Sequence, residues 1–260
     1  METENNLETI KKQISLETNR LYGPSGYSSN NWSSVRNKNI FKQEDSQGLY
    51  EGLQASRGIS LHTDKSTEEN IDRIKGEIDE ELPASDKGRI KELKHFNVLD
   101  KVDRVYELGF RTPRLLKYYE SIGKKATGFD IVKVNVLIGK YLNYDCVIHD
   151  LNSDAPLNFE ENSLIIAYHS FEHLPNPSKA IKKVYEGMKK SCFFHIEVPT
   201  ENIITPNIRV GHCHAFHTGE LKQMIENLEF EIINDTPHPL LSLPNQSVLC
   251  KLKQPKKNER

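Results

Sequence analysis

Glycine is scarce where a nucleotide-binding turn would want it. "VYELGFRTPRLLKYY", Val105 to Tyr119, runs from an apolar strand to an acid, Glu107, and one glycine, Gly109. Arg111 and Pro113 then stand where two more glycines are usual. The four cysteines, Cys146, Cys192, Cys213 and Cys250, include no CxxC pair, which argues against a redox motif or a zinc ribbon. They read as buried free thiols in a reducing compartment. A net charge of -2 gives no electrostatic case for bulk nucleic acid or an anionic membrane surface. No apolar run approaches the ~20 residues that span a bilayer. The opening "METENNLETIKKQ" has neither the basic nor the apolar region of a signal peptide. The expectation is a cytoplasmic protein.

What is present falls into two textures. Residues 1–100 form a polar N-terminal extension. "GPSGYSSNNWSSVRNKN" has the composition of a loop. "STEENIDRIKGEIDEEL" reads as a helix capped by Ser66, with Ile71, Ile74 and Ile78 at helical spacing and Pro83 as its stop. A second helix is expected over roughly residues 85–96. Taken alone this half buries little, so it reads as an arm on the rest of the chain or as partly disordered. Tyr22, Tyr27, Trp32 and Tyr50 make a lid over the substrate one reading of it, and a loosely attached tail the other.

Residues 101–253 alternate strand and helix patterns, and 254–260 form a polar tail. "DRVYELG", "KATGFDI", "DCVIHD", "SLIIAYHS", "CFFHIEVP", "EFEIIND" and "SVLCKLK" read as strands. Helical periodicity fills most of the intervals; the last two strands have none between them and are expected to pair antiparallel. Near-continuous apolar strands alternating with amphipathic helices imply a mainly parallel sheet covered on both faces. Thr112 and Pro113 suit the N-cap and first position of the helix after the first strand. Ligands of such sheets bind beyond the carboxyl ends of the strands. Asp130 falls about 20 residues past Gly109, where a ribose-binding acid stands in a dinucleotide fold.

Three stretches carry a family resemblance: "ELG" followed by "GFDI"; "HDLNSDAPLNFEENSLIIAYHSFEHLPNPSKAIKKV"; and "HIEVPTE" with "GHCHAFHTGELKQMIENLEFEII". From about Val102 to Lys253 the chain resembles the class I S-adenosylmethionine-dependent methyltransferases, with its last stretch similar to a small-molecule or sugar methyltransferase subgroup. The resemblance implies an α/β fold, a Rossmann-like three-layer sandwich whose seven-stranded, mostly parallel sheet has an antiparallel last strand. It implies S-adenosylmethionine as cofactor and a small-molecule or sugar-like acceptor, with oxygen as the expected acceptor atom. It places Glu107 and Gly109 at the methionine-side loop, Asp130 and Ile131 at the ribose, Asp150 and Leu151 beside adenine, and His169 and Glu172 at the methionine moiety. The opening loop departs from the family's acid-x-Gly-x-Gly-x-Gly. Arg111 is then expected to pair with the methionine carboxylate, since a guanidinium binds a carboxylate bidentately.

"GHCHAFH" offers His212, Cys213, His214 and His217. A metal would need three or four ligands converging at ~2.0–2.3 Å. No second cluster of Cys or His lies near in sequence, so the segment is expected to be metal-free. Its better reading is a loop over the acceptor pocket, with His212 or His214 as catalytic base. Glu172 and His173 otherwise read as packing and capping residues, and His195 as a satisfied interior histidine. Glu197 faces either the substrate or the core. The alternative to an enzyme is a non-catalytic protein of the same fold, a binding or structural module, which the glycine-poor loop supports.

Overall fold

The computed structural model describes residues 2–22, 65–201, 212–236 and 244–253. Tyr27, Trp32, Tyr50, the loop at 23–39 and the tail at 254–260 lie outside these residues, as does the side chain of Tyr22. The helices are α1 (Glu2–Tyr22), α2 (Thr67–Asp79), α3 (Ala84–His95), α4 (Arg114–Ser121), α5 (Lys133–Tyr141), α6 (Pro177–Gly187) and α7 (Glu220–Glu226). The strands are β1 (Arg104–Leu108), β2 (Lys125–Asp130), β3 (Asp145–Ile148), β4 (Ser163–Tyr168), β5 (Phe193–Pro199), β6 (Phe230–Asn234) and β7 (Asn245–Leu252). They form one seven-stranded sheet in the order β3-β2-β1-β4-β5-β7-β6. This is the Rossmann-like arrangement, with β7 antiparallel to both β5 and β6.

By internal packing the chain divides into two compact units. The first takes in the described parts of Met1–Glu80, Phe110–Lys117 and Gly128–His149. Its core joins the polar extension to the sheet-covering helix α5. Ile14 from α1 and Ile71, Ile74 and Ile78 from α2 are buried with Val132, Val134, Leu137 and Ile138. Each such side chain contributes about 1.5–3 kcal/mol on burial, which offsets the ordering of an otherwise polar helix. The described helices of the extension are therefore core members. The start of α2 is fixed locally by a capping box: Glu69 N donates to Ser66 Oγ (3.1 Å) and Ser66 N to Glu69 Oε2 (2.7 Å). The Lys133–Glu17 ion pair (2.8 Å) is partly exposed and adds little.

The second unit takes in Glu81–Gly109, Tyr118–Thr127 and the described parts of Asp150–Arg260. β1 and β4 pair in parallel, Val105 opposite Leu164, and β4 and β5 likewise, Ile165 opposite Phe194. Leu164, Ile165, Ile166 and Ala167 are all fully buried, as expected for a central parallel strand covered on both faces. Helix α6 begins where Asn176 accepts from Lys179 N (3.0 Å), with Pro177 in its first turn. It buries Ala180, Ile181 and Val184.

One boundary differs from the sequence reading. Helix α4 starts at Arg114, because Thr112 O is taken by a tight turn to Arg114 N (2.8 Å) and Pro113 O accepts the first helical bond, from Lys117 N (3.0 Å). The helix ends at Ser121; Leu115, Leu116 and Tyr119 form its buried face, and Ile122 beyond it is exposed.

Candidate functional site

In the first unit the loop after β1 meets the end of β2. Phe110, 3% exposed, is drawn inward against Gly128, where a Cβ would lie 2.6 Å from the ring. Arg111 follows in the left-handed region, φ 48°. It thus takes the conformation a glycine would have supplied, at a cost of about 1–2 kcal/mol. Burial of Phe110, about 2–3 kcal/mol, offsets that strain. Asp130 closes the corner. Its Oδ2 accepts from Arg111 N (3.0 Å) and Asn135 Nδ2 (3.3 Å), and its Oδ1 from Val132 N (2.7 Å). Asp130 is 7% exposed. The Arg111 side chain is exposed, and Ile131 packs against the α1, α2 and α5 cluster. The loop without its glycines is held by an aromatic plug and an acid staple.

In the second unit the sheet order reverses between β1 and β4, the kind of position where open α/β sheets bind ligands. Gly109, φ 82°, follows β1, and a Cβ there would lie 2.6 Å from Ser170 Cβ beyond β4. Both its conformation and that close approach require glycine. Glu107 is buried at the end of β1. Asp150 is occupied locally, accepting from Asn152 N (2.8 Å) and Asn152 Nδ2 (3.1 Å), and Leu151 beside it is buried. His169, φ 51°, lies between two carboxylates, with Nδ1 3.5 Å from Glu172 Oε1 and Nε2 3.1 Å from Glu197 Oε1. Glu197 is fully buried on β5. Its Oε1 also receives the Arg89 guanidinium from α3 and Asn245 Nδ2 (3.4 Å). The Arg89 guanidinium lies 4.5 Å from the Tyr168 ring centroid, a cation–π contact, and its Nη1 is 2.6 Å from Asp86. Burial alone would raise the Glu197 carboxyl. The hydrogen bonds from His169 and Arg89 outweigh it and hold the carboxyl at about 2. Burial works against the His169 imidazolium as well, but the hydrogen bonds to Glu172 and Glu197 carry it up to about 9. His195 is an interior histidine, bonded to Tyr168 Oη (2.8 Å) and Ser247 Oγ (3.0 Å).

The segment from His212 is fastened to the turn after β4. Cys213 N and His214 N both donate to Glu172 O (2.8 and 3.0 Å). His212 Nδ1 bonds Glu201 Oε1 (2.9 Å) and His214 Nε2 bonds Glu220 Oε1 (2.8 Å). Burial pushes the Cys213 thiol up to about 12, leaving it neutral. Potential ligand atoms of Glu172, His173 and His212 lie within 4.8 Å of one another. A search for a second cluster of Cys and His in sequence passes over this grouping, because the upstream turn contributes one histidine and one acid. Arg89, Glu201 and Glu220 were also missed. Arg89 alone left a signal, a cation beside Ile90 and Leu93 on the apolar face of its helix.

Among the described residues, no helix is long and apolar enough to cross a membrane. A family model described as a methyltransferase domain matches residues 78–235. A crystal structure of a SAM-dependent methyltransferase from Aquifex aeolicus aligns with TM-score 0.51 at 16% identity, over 70% of this chain and 98% of that one. The PH0226 protein from Pyrococcus horikoshii OT3 gives 0.51 at 15% identity, over 68% and 93%. A Haloferax volcanii methyltransferase solved with the Trm112 methyltransferase activator gives 0.50 at 11%, over 66% and 96%. At these identities the likeness is one of fold. Comparison with curated protein sequences returns no match.

Proposed function

This chain belongs to the methyltransferase-domain family, and from that premise we propose that it transfers the methyl group of S-adenosylmethionine to an oxygen of a small-molecule or sugar-like acceptor in the cytoplasm. The residues present fit the cofactor. Ser170 Oγ beyond β4 is a buried polar atom without a hydrogen-bond partner among the described residues. Bound there, S-adenosylmethionine supplies a methyl group already activated on a sulfonium. The chain's own part is to bind, orient and exclude water. Gly109, Glu107, His169 and Glu172 are proposed to border the methionine moiety, Asp150 and Leu151 the adenine, and Asp130 with Ile131 the ribose. The exposed Arg111 guanidinium is proposed to pair with the methionine carboxylate.

The observation that carries an oxygen acceptor is the pair of carboxylate-held histidines. Glu201 fixes the ring of His212 and Glu220 that of His214, leaving one nitrogen of each imidazole to take a hydroxyl proton. A second reading, a non-catalytic module of the same fold, draws on how far the Asp130 carboxylate is committed to its own loop. Titration calorimetry with S-adenosylhomocysteine separates the two, and the unmodified chain is expected to bind it. His212→Ala and His214→Ala are expected to keep that affinity, with at least one slowing methyl transfer by about 10²–10⁴-fold, the scale of a lost general base. Absence of binding favours the non-catalytic module. Binding with full turnover in both variants removes the histidines from the chemistry.

A further inference from the structure

We propose that Glu172, His173 and His212 form a binding site for one divalent transition-metal ion of the zinc class. Two imidazoles and one carboxylate are the donor set of catalytic zinc sites, which keep a fourth position open. Imidazole nitrogen favours zinc, cobalt or nickel over magnesium or calcium, whose ligands are oxygen.

Three observations point to a ligand here. Glu172 is 1% exposed, yet its Oε2 has no hydrogen-bond partner among the described residues. A buried anionic oxygen in that state is costly unless a cation or donor reaches it. His212 Nδ1 is engaged by the Glu201 carboxylate at 2.9 Å, so Nε2 is the nitrogen left for a metal. A carboxylate on the far nitrogen of a ligating histidine is the usual arrangement of zinc sites, because it fixes the tautomer and raises the basicity of the ring. Third, the backbone sets the approach: Cys213 N and His214 N are both fastened to Glu172 O, which holds His212 beside the turn that carries Glu172 and His173. The His173 and His212 rings stand edge to face with centroids 5.1 Å apart. Ligand atoms of a tetrahedral zinc ion lie about 3.3 Å apart, given metal–ligand distances of about 2.0–2.2 Å. One potential ligand atom of each residue now lies within 4.8 Å of the others, and the set would have to close by up to about 1.5 Å.

The site deepens the reading above and, in this respect only, rests on it: the open fourth position suits an acceptor oxygen, and proton removal then falls to His214, since His212 is a ligand.

The test uses the full chain, stripped with chelator and titrated with Zn²⁺ alone, followed by elemental analysis after dialysis. One equivalent per chain is expected. His173→Ala and His212→Ala should each weaken zinc binding at least tenfold, whereas His214→Ala should leave it unchanged. Retention of tight, stoichiometric zinc by the double variant H173A/H212A overturns the assignment, as does failure of the unmodified chain to hold zinc. Should the variants not fold, Co²⁺ titration of the unmodified chain decides: the visible band of four-coordinate cobalt is expected, and its absence overturns the site. Calorimetry with S-adenosylhomocysteine on the same samples keeps the two readings apart. Zinc bound without S-adenosylhomocysteine leaves the metal site standing and defeats methyl transfer; S-adenosylhomocysteine bound without zinc does the reverse.

Discussion

Asp130 and Glu197 are both buried carboxylates on strands of the same sheet, and they are satisfied in opposite ways. Asp130, in the first unit, is held by two backbone amides and a side-chain amide, all neutral donors. Glu197, in the second, is held by a guanidinium and an imidazolium, with an asparagine amide at 3.4 Å. The amides that hold Asp130 exist wherever the chain makes that turn, so the arrangement costs little beyond folding the loop. The partners of Glu197 are charges brought out of water, and each is a liability without the other. The first arrangement positions backbone, and the second fixes the protonation of side chains at the end of β4.

The sharpest way to break this comparison is to remove one charge. Arg89→Met should cost about 3–5 kcal/mol in chemical denaturation, because it strands a buried carboxylate. A loss below about 1 kcal/mol would show that Glu197 does not depend on its ion pair. Asp130→Asn should cost less, about 1.5–3 kcal/mol: the amide oxygen keeps one accepting side without charge assistance, and the NH2 on the other side meets an N–H donor. If it costs more than Arg89→Met, the neutral-donor corner is the more demanding of the two and the contrast fails. Arg111→Gly tests the smallest effect. Relief of the left-handed φ, set against the added freedom of glycine in the unfolded chain, should raise stability by about 0.5–1 kcal/mol. The same variant should weaken S-adenosylhomocysteine binding if the guanidinium meets the methionine carboxylate. Tighter binding would make Arg111 a remnant of a decayed loop.

Asp130 was legible in the sequence because Val132 and Asn135, two of the donors that hold it, lie within five residues and its strand ends in a recognisable pattern. Even so, the sequence pointed to ribose, and the structure shows the acid hydrogen-bonded within its own loop. The sheet was legible for the same reason: seven apolar runs with helical periodicity between them leave few alternatives. The extension was legible only in part. Ile71, Ile74 and Ile78 declared a buried face, but the α5 residues that cover it lie more than fifty positions away.

Short-range chemistry is thus what the sequence determined by itself: the capping box at Ser66, the Asn176 cap with Pro177, the apolar β4, and membership of a methyltransferase fold. Each depends on neighbours within a few residues or on a periodicity that the chain carries along its own length. Only the tertiary structure decided that Arg89 neutralises Glu197, that Glu201 holds His212, and that Glu172 and His173 stand beside it. Those pairs join segments separated by 11 to 108 positions. A charged or imidazole side chain does not encode in its own neighbourhood which partner, closed over a loop of that length, will reach it; only the packing of helices and strands between them does.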